Sequence, residues 1–318
     1  MNYLSLSGIS HTYIIYLSRS LKKNQLVSMI FLMNIFKFIK SYFINERDDL
    51  FYDPKSVNMI IKLNIENQDL NKSRRLIFDL EYKDINAESI NDLNIICKNT
   101  ELNYLQLKLD HNFLEDEGVQ RLMKIVICFK KLQVLHLHLG NNYFGEQGAR
   151  HISIGLQKLA EMKELKLVIF KNIIYQAGAF HISDILQSTS KLQVLSLNLV
   201  ECNINSTGWQ QISKNLRLLT QLKHLNIILT NNNIDEQGNT DFCDFIQNNK
   251  TIVSLELSLV LNYIGQGIIT LQNALIKNQV LRVLSLVLFS TAEKQRLNQT
   301  RKKIQKCCKR LVMYNYIF

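Results

Sequence analysis

Short runs of alternating apolar and polar residues recur along the chain, as in Leu105-Gln106-Leu107-Lys108-Leu109 and Leu195-Ser196-Leu197-Asn198-Leu199. A period of two puts every second side chain on one face, so each run predicts a strand with one buried side. Further along each unit the period lengthens. Val119, Leu122 and Val126, and later Trp209, Ile212 and Leu216, lie three to four residues apart, the spacing of a helix with one apolar stripe. Strand, turn and helix therefore repeat as one unit. Neither buried face can be covered within a unit, so stacked neighbours must supply the core.

The interval is constant. Leu102, Leu132, Met162, Leu192, Leu222 and Ile252 stand thirty residues apart, and Leu281 follows at twenty-nine. Gly118, Gly148, Gly178, Gly208 and Gly238 keep the same step, with Gly267 one residue early. A third column holds Asn112, Asn142, Asn172, Cys202, Asn232 and Asn262. Three columns on one period mark an internal repeat. An asparagine buried where the strand turns toward the helix can donate to and accept from the backbone of adjacent turns. This predicts a structural ladder in which each side chain is worth roughly 1–3 kcal/mol and Cys202 is a weaker substitute. The glycine that opens each helix is expected to let the helix and strand layers approach closely. Acids just before it (Asp116, Glu117, Glu146, Asp235, Glu236) suit the positive end of a helix dipole.

The pattern LxxLxLxLxxNxI, followed by the glycine and a leucine, resembles ribonuclease-inhibitor-like leucine-rich repeats, with a strand about two residues longer. It covers residues 102–289, with a degenerate first unit on Leu76, Phe78, Leu80 and Ile85 and a last strand at 284–288. The resemblance implies an α/β fold, a right-handed solenoid shaped as a horseshoe. Its parallel strands would line the concave side and its helices the convex side. Seven to eight units would occupy residues 73–290.

Composition changes this picture only at the ends. The formal charge is +11, and 38 basic residues face 27 acidic ones. The excess lies in residues 1–45 and 291–318, while the body is close to neutral, so the repeat region lacks the basic footprint of a nucleic-acid-binding domain. Residues 1–72 lie outside the repeat. Their uncharged apolar run, Gln25–Phe36, is short of the eighteen or so residues of a membrane span. A helix capping the open end of the solenoid is expected there; a membrane-associated or targeting segment and a stretch without a folded role are the alternatives. Residues 291–318 read as a basic closing helix, with Leu297, Ile304, Cys308 and Leu311 inward. Arg301, Lys302, Lys303, Lys306, Lys309 and Arg310 would face outward, either as a solvated cap or as a contact for nucleic acid, anionic membrane or an acidic protein face. The six cysteines show no CxxC and no paired metal spacing, which is read as reduced thiols in a cytoplasmic protein, with mitochondria or another organelle as the alternative.

Candidate functional residues come from strand geometry. Side chains leaving the strands away from the core would line the concave face. Those singled out are Lys108, His136, His138, Lys166, Phe170, Val200, Ile228 and Val260, polar in the early units and apolar in the later ones. Exposed contiguous apolar area marks a contact surface. His136 and His138 point to one side of a strand and could reach a metal, with Asp110 as a neighbour, but no third histidine joins them; they are read as polar surface, with no metal or cofactor expected. No GxGxxG, GxxxxGK[ST], HExxH or GxSxG occurs. Some relatives of this repeat class activate small GTPases through an arginine in a strand-following loop; the loops 110–113, 140–143, 170–173, 200–203, 230–233 and 260–263 hold none. The expected function is a non-catalytic scaffold or adaptor that grips a protein partner, without a small-molecule substrate. A structural subunit of an axonemal or organellar assembly, a nucleic-acid accessory protein acting through its basic tail, and an enzyme inhibitor are the rival readings.

Overall fold

The computed structural model describes residues 74–99, 101–288, 294–308 and 311–317. The described residues all belong to one compact unit, Asp53–Phe318. The cap or targeting region at 1–72, Phe289, Lys309 and Arg310 lie outside them.

Nine strands form one sheet in chain order: β1 (Arg75–Asp79), β2 (Tyr104–Lys108), β3 (Val134–His138), β4 (Glu164–Val168), β5 (Val194–Asn198), β6 (His224–Ile228), β7 (Ser254–Ser258), β8 (Val283–Val287) and β9 (Val312–Ile317). All neighbours pair parallel, and Leu105, Leu135, Leu165, Leu195, Leu225 and Leu255 stand side by side. A ten-residue 3-10 helix, Ser89–Lys98, follows β1. The later connections carry α1 (Glu115–Val126), α2 (Glu146–Leu156), α3 (Tyr175–Ser188), α4 (Asn205–Leu216), α5 (Thr240–Asn248), α6 (Gly267–Lys277) and α7 (Lys294–Cys307). Each helix packs beside the next on one face of the sheet. This alternation of parallel strand and helix is compatible with a leucine-rich-repeat-like solenoid.

The core is the space between sheet and helices. Strand leucines and helix residues such as Val119, Leu122, Trp209, Ile212 and Leu216 are buried, as are the first-unit residues Leu76, Phe78, Leu80 and Ile85. Trp209 and Phe242 pack ring against ring, 5.0 Å apart, across adjacent units.

Backbone pairing outruns the five-residue strands. The Leu109 N–H donates to the His138 carbonyl (2.8 Å) and the His111 N–H to the Gly140 carbonyl (2.8 Å). The same two bonds recur from Leu139 to Val168 and from Asn141 to Phe170, both at 2.7 Å. To leave this extended ladder the chain turns through a left-handed residue in every unit. Tyr82, His111, Asn141, Lys171, Glu201, Asn231 and Leu261 all have φ between +52° and +59°.

The asparagine column then closes the turn. Asn112 Nδ2 donates to the carbonyls of Leu80 and Leu109, both at 2.8 Å, and its Oδ1 accepts from the N–H groups of Lys83 (2.9 Å) and Ile85 (3.0 Å). Asn172 and Asn232 bridge consecutive units in the same way, through carbonyls of Leu139 and Leu199. Cys202 holds the donor side with its thiol, 3.2 Å from the Ile169 carbonyl. Burial holds that thiol un-ionised, its pKa pushed up to about 12.

Two expectations need correction. The helix-opening glycines do not bring helix and sheet together. A Cβ on Gly178 would fall 2.5 Å from Ile174 Cβ and 3.2 Å from Ala149 Cβ, so the glycine makes room for its own preceding turn and for the neighbouring helix. The acids beside them act across units as well as within them: Asp116 Oδ1 accepts from Gly145 N (2.8 Å) and Gly148 N (2.7 Å), capping the helix of the following repeat. Only Asp235 caps its own helix opening, accepting from Gly238 N at 2.9 Å. The hydroxyl of Ser206 and this N–H hold its carboxyl below the usual range.

The array also runs past the expected last strand. Helix α7 buries Leu297, Thr300 and Ile304, Cys308 just after it is also buried, and β9 then adds to the sheet beside β8, with a register shift between Ser285 and Val287.

Candidate functional site: the open face of the sheet

One face of the sheet carries the helices, and the other carries the alternate strand residues. Among parallel strands about 4.8 Å apart, such side chains shield one another. That is why several residues on this face do not project freely: Asp110, Val168, Ser258 and Ser285 are buried. Lys108, His136, His138, Lys166, Phe170, Val200, Ile228 and Val260 are half-buried on this face. The later units therefore present a low apolar floor, not a row of protruding side chains.

The first four units are polar and internally linked. Arg75 lies over the Tyr104 ring, 3.8 Å from its centroid. The Tyr104 hydroxyl donates to Gln106 Oε1 (3.0 Å) and lies 3.3 Å from His136 Nδ1. The other ring nitrogen of His136 is 2.7 Å from Glu164 Oε1. Lys108 pairs with Asp79 at 3.2 Å, and that carboxylate holds the ammonium above the ordinary lysine range.

His138 is placed differently, although it shares a strand and a face with His136. Its Nδ1 lies 3.6 Å from Asp110 Oδ2, and its Nε2 is buried with no hydrogen-bond partner among the described residues. Asp110 Oδ1 in turn accepts from the Gly140 N–H at 2.6 Å. Glu81 completes the group: one ligand-type atom each from Glu81, Asp110 and His138 lies within 4.8 Å of the others. The spacing of the first unit concealed Glu81. Asp79 pairs with Lys108 at a step of twenty-nine residues, so a thirty-residue ruler assigns the neighbouring position instead.

Gly140 has no side chain, and the Phe170 ring occupies the space a Cβ there would need. That ring is 5.6 Å from the His111 ring, which stacks on Tyr82 at 4.2 Å with an interplanar angle of 8°.

Most of the apolar side chains that are more than half exposed lie elsewhere, on the loops between strand and helix. Phe113, Tyr143, Ile173 and Tyr263 occupy one column directly after the ladder asparagines, and Tyr82, Tyr175 and Leu261 flank it. Tyr143 and Tyr263 are 63% and 73% exposed. Phe113 and Tyr143 stack with ring planes only 2° apart, centroids 5.7 Å apart. Sequence reasoning passed over these residues because it followed the strands, although their thirty-residue spacing was readable.

At the far end, Arg301, Lys302, Lys303 and Lys306 are on the exposed side of α7, as its apolar spacing required. The opposite edge, before the strands, carries a depression of about 270 Å³ lined by Gln193, Thr220, Gln221, Lys223 and Thr251. Among the described residues no helix is long and apolar enough to cross a membrane.

No family model matches the sequence, and no curated protein matches it. Among solved structures, the chain is similar to "Leiomodin-1 Actin-Binding Site 2 (ABS2)", with a TM-score of 0.36 and 16% identity over 69% of this chain and 95% of that one.

Proposed function

We propose that the chain is a non-catalytic protein-binding scaffold, and that its partner sits on the open face of the sheet and on the loop edge beside it. On this reading the fold is a right-handed, curved solenoid of the ribonuclease-inhibitor-like kind, with the open face on the concave side. The supporting observation is the exposed column Phe113, Tyr143 and Ile173, flanked by Tyr82 and Tyr175 and bordering a face of half-buried charge and apolar floor. Aromatic side chains offer large contact area at low entropic cost, and a cluster of them bordered by polar groups is the composition of an interface centre.

The test uses the full chain as bait in its native cell. Phe113→Asp, Tyr143→Asp and Ile173→Asp together leave the core untouched, so the variant should keep the circular dichroism and melting temperature of the parent. Its specific partner should be lost. Retention of every partner by the folded variant would eliminate this surface.

The exposed cations of α7 support a second reading, in which the carboxy-terminal end contacts a polyanion. Binding through that end would weaken steeply with salt and survive the loop-edge substitutions. Binding at the apolar edge would respond to salt far less.

A further inference from the structure

We propose that Glu81, Asp110 and His138 form a binding site for a divalent transition cation, with Zn2+ as the best fit. This inference is independent of the partner surface above.

The site is built from backbone upward. Glu81 and Asp110 occupy the same position after β1 and β2, as the β1–β2 register dictates. The position that follows in β3's unit is Gly140, whose side-chain space the Phe170 ring fills, and His138, two residues earlier on the same face, brings its imidazole beside Asp110. The Gly140 N–H fixes one oxygen of Asp110 at 2.6 Å and leaves the other beside the imidazole. One anchored carboxylate, one half-buried carboxylate and one imidazole thus converge, with ligand-type atoms mutually within 4.8 Å.

Two features of this group go unanswered without a cation. His138 Nε2 is buried and lacks a partner among the described residues. A buried polar atom without a partner is costly, and a metal bond would satisfy the ring nitrogen that forms it. The charge is also unbalanced. Asp79, Glu81 and Asp110 gather around Lys108, whose ammonium is committed to Asp79 at 3.2 Å. A divalent cation would offset the two remaining carboxylates.

The donor set selects the ion. One imidazole and two carboxylates suit zinc and its neighbours, whereas Mg2+ and Ca2+ prefer oxygen ligands alone. Zinc bonds of about 2.0–2.2 Å require the three side chains to close in, and Glu81, half-buried at the chain turn, has the freedom to do so. Three protein ligands leave a fourth position for water or for a group from outside.

Isothermal titration of Zn2+ into the full-length protein near neutral pH tests this. One ion per chain is expected, and Glu81→Gln and His138→Gln should each weaken binding at least about tenfold. Co2+ in place of Zn2+ should give visible absorption without an intense sulfur-to-cobalt band, which separates this site from the chain's cysteines. Should His138→Gln fail to fold, Glu81→Gln, at a half-buried position, decides alone. The proposal fails if no heat is seen up to about 0.1 mM metal, if affinity is unchanged in the folded variants, or if cobalt binds through thiolate.

Discussion

Leu261 holds a backbone conformation that its side chain opposes. Its φ is +55°, and it is the one aliphatic residue in a column otherwise filled by Tyr82, His111, Asn141, Lys171, Glu201 and Asn231. A left-handed L-residue costs roughly 1–2 kcal/mol, and asparagine escapes part of that through local hydrogen bonding. The column is imposed by the stack: in the described units before Leu261 the left-handed residue's own N–H closes the parallel ladder, and from His111 onward the residue after each position is the turn-closing asparagine or Cys202. The Leu261 side chain gains little in return, being 59% exposed. Leu261→Asn should therefore stabilise the protein by about 0.5–1 kcal/mol. Leu261→Val, with a β-branch at the same φ, should destabilise it by a similar amount. The two urea midpoints, compared at constant slope, decide; equal midpoints would mean that the turn relaxes away from positive φ.

At the scale of the element, the glycine column shows where the sequence was legible and where it was not. Its thirty-residue spacing marked the start of each helix, and strand, turn and helix fell where the periods placed them. The reason for the glycine was not visible, because it depends on how far apart the helices stand. With Ile174 Cβ 2.5 Å and Ala149 Cβ 3.2 Å from a Cβ at Gly178, the constraint comes first from the helix's own preceding turn and then from the helix beside it. Gly178→Ala should cost about 1–3 kcal/mol through overpacking. Gly145→Ala is the matched control: its Cβ would meet only the Ile173 carbonyl, at 3.5 Å, and should change stability little. Parallel denaturation curves of the two variants check this, and equal losses would point back to backbone entropy. The same logic explains the other omissions. β9 lacks the leucines of its predecessors, so no apolar alternation announced it. Glu81 joined Asp110 and His138 only through the shorter first step, a fact of register that composition does not carry. The asparagine ladder was readable because its chemistry is local to the turn.

The described strands and helices stack in chain order as a one-dimensional array, and its buried cysteines report on that directly. In such an array each unit gains stability only from its neighbours, so a terminal unit, with one neighbour, opens more readily than an internal one. Cys202 lies in the turn between β5 and α4, Cys243 in α5, and Cys308 just after α7, all three buried; Cys128 and Cys307 are exposed. Burial holds the Cys202 and Cys243 thiols un-ionised, with pKa values near 12, so neither reacts until its unit opens. Under native conditions an excess of thiol reagent should modify Cys128 and Cys307 at once. Cys308 should follow, then Cys243, with Cys202 last, each rate reflecting the opening free energy of its unit. A Cys307→Ser background keeps the Cys308 signal distinct, and peptide mass spectrometry at timed intervals gives the order. If the three buried thiols instead react together at one rate, the repeats open as a single cooperative block. The stability changes at Leu261 and Gly178 would then be felt equally from one end of the sheet to the other.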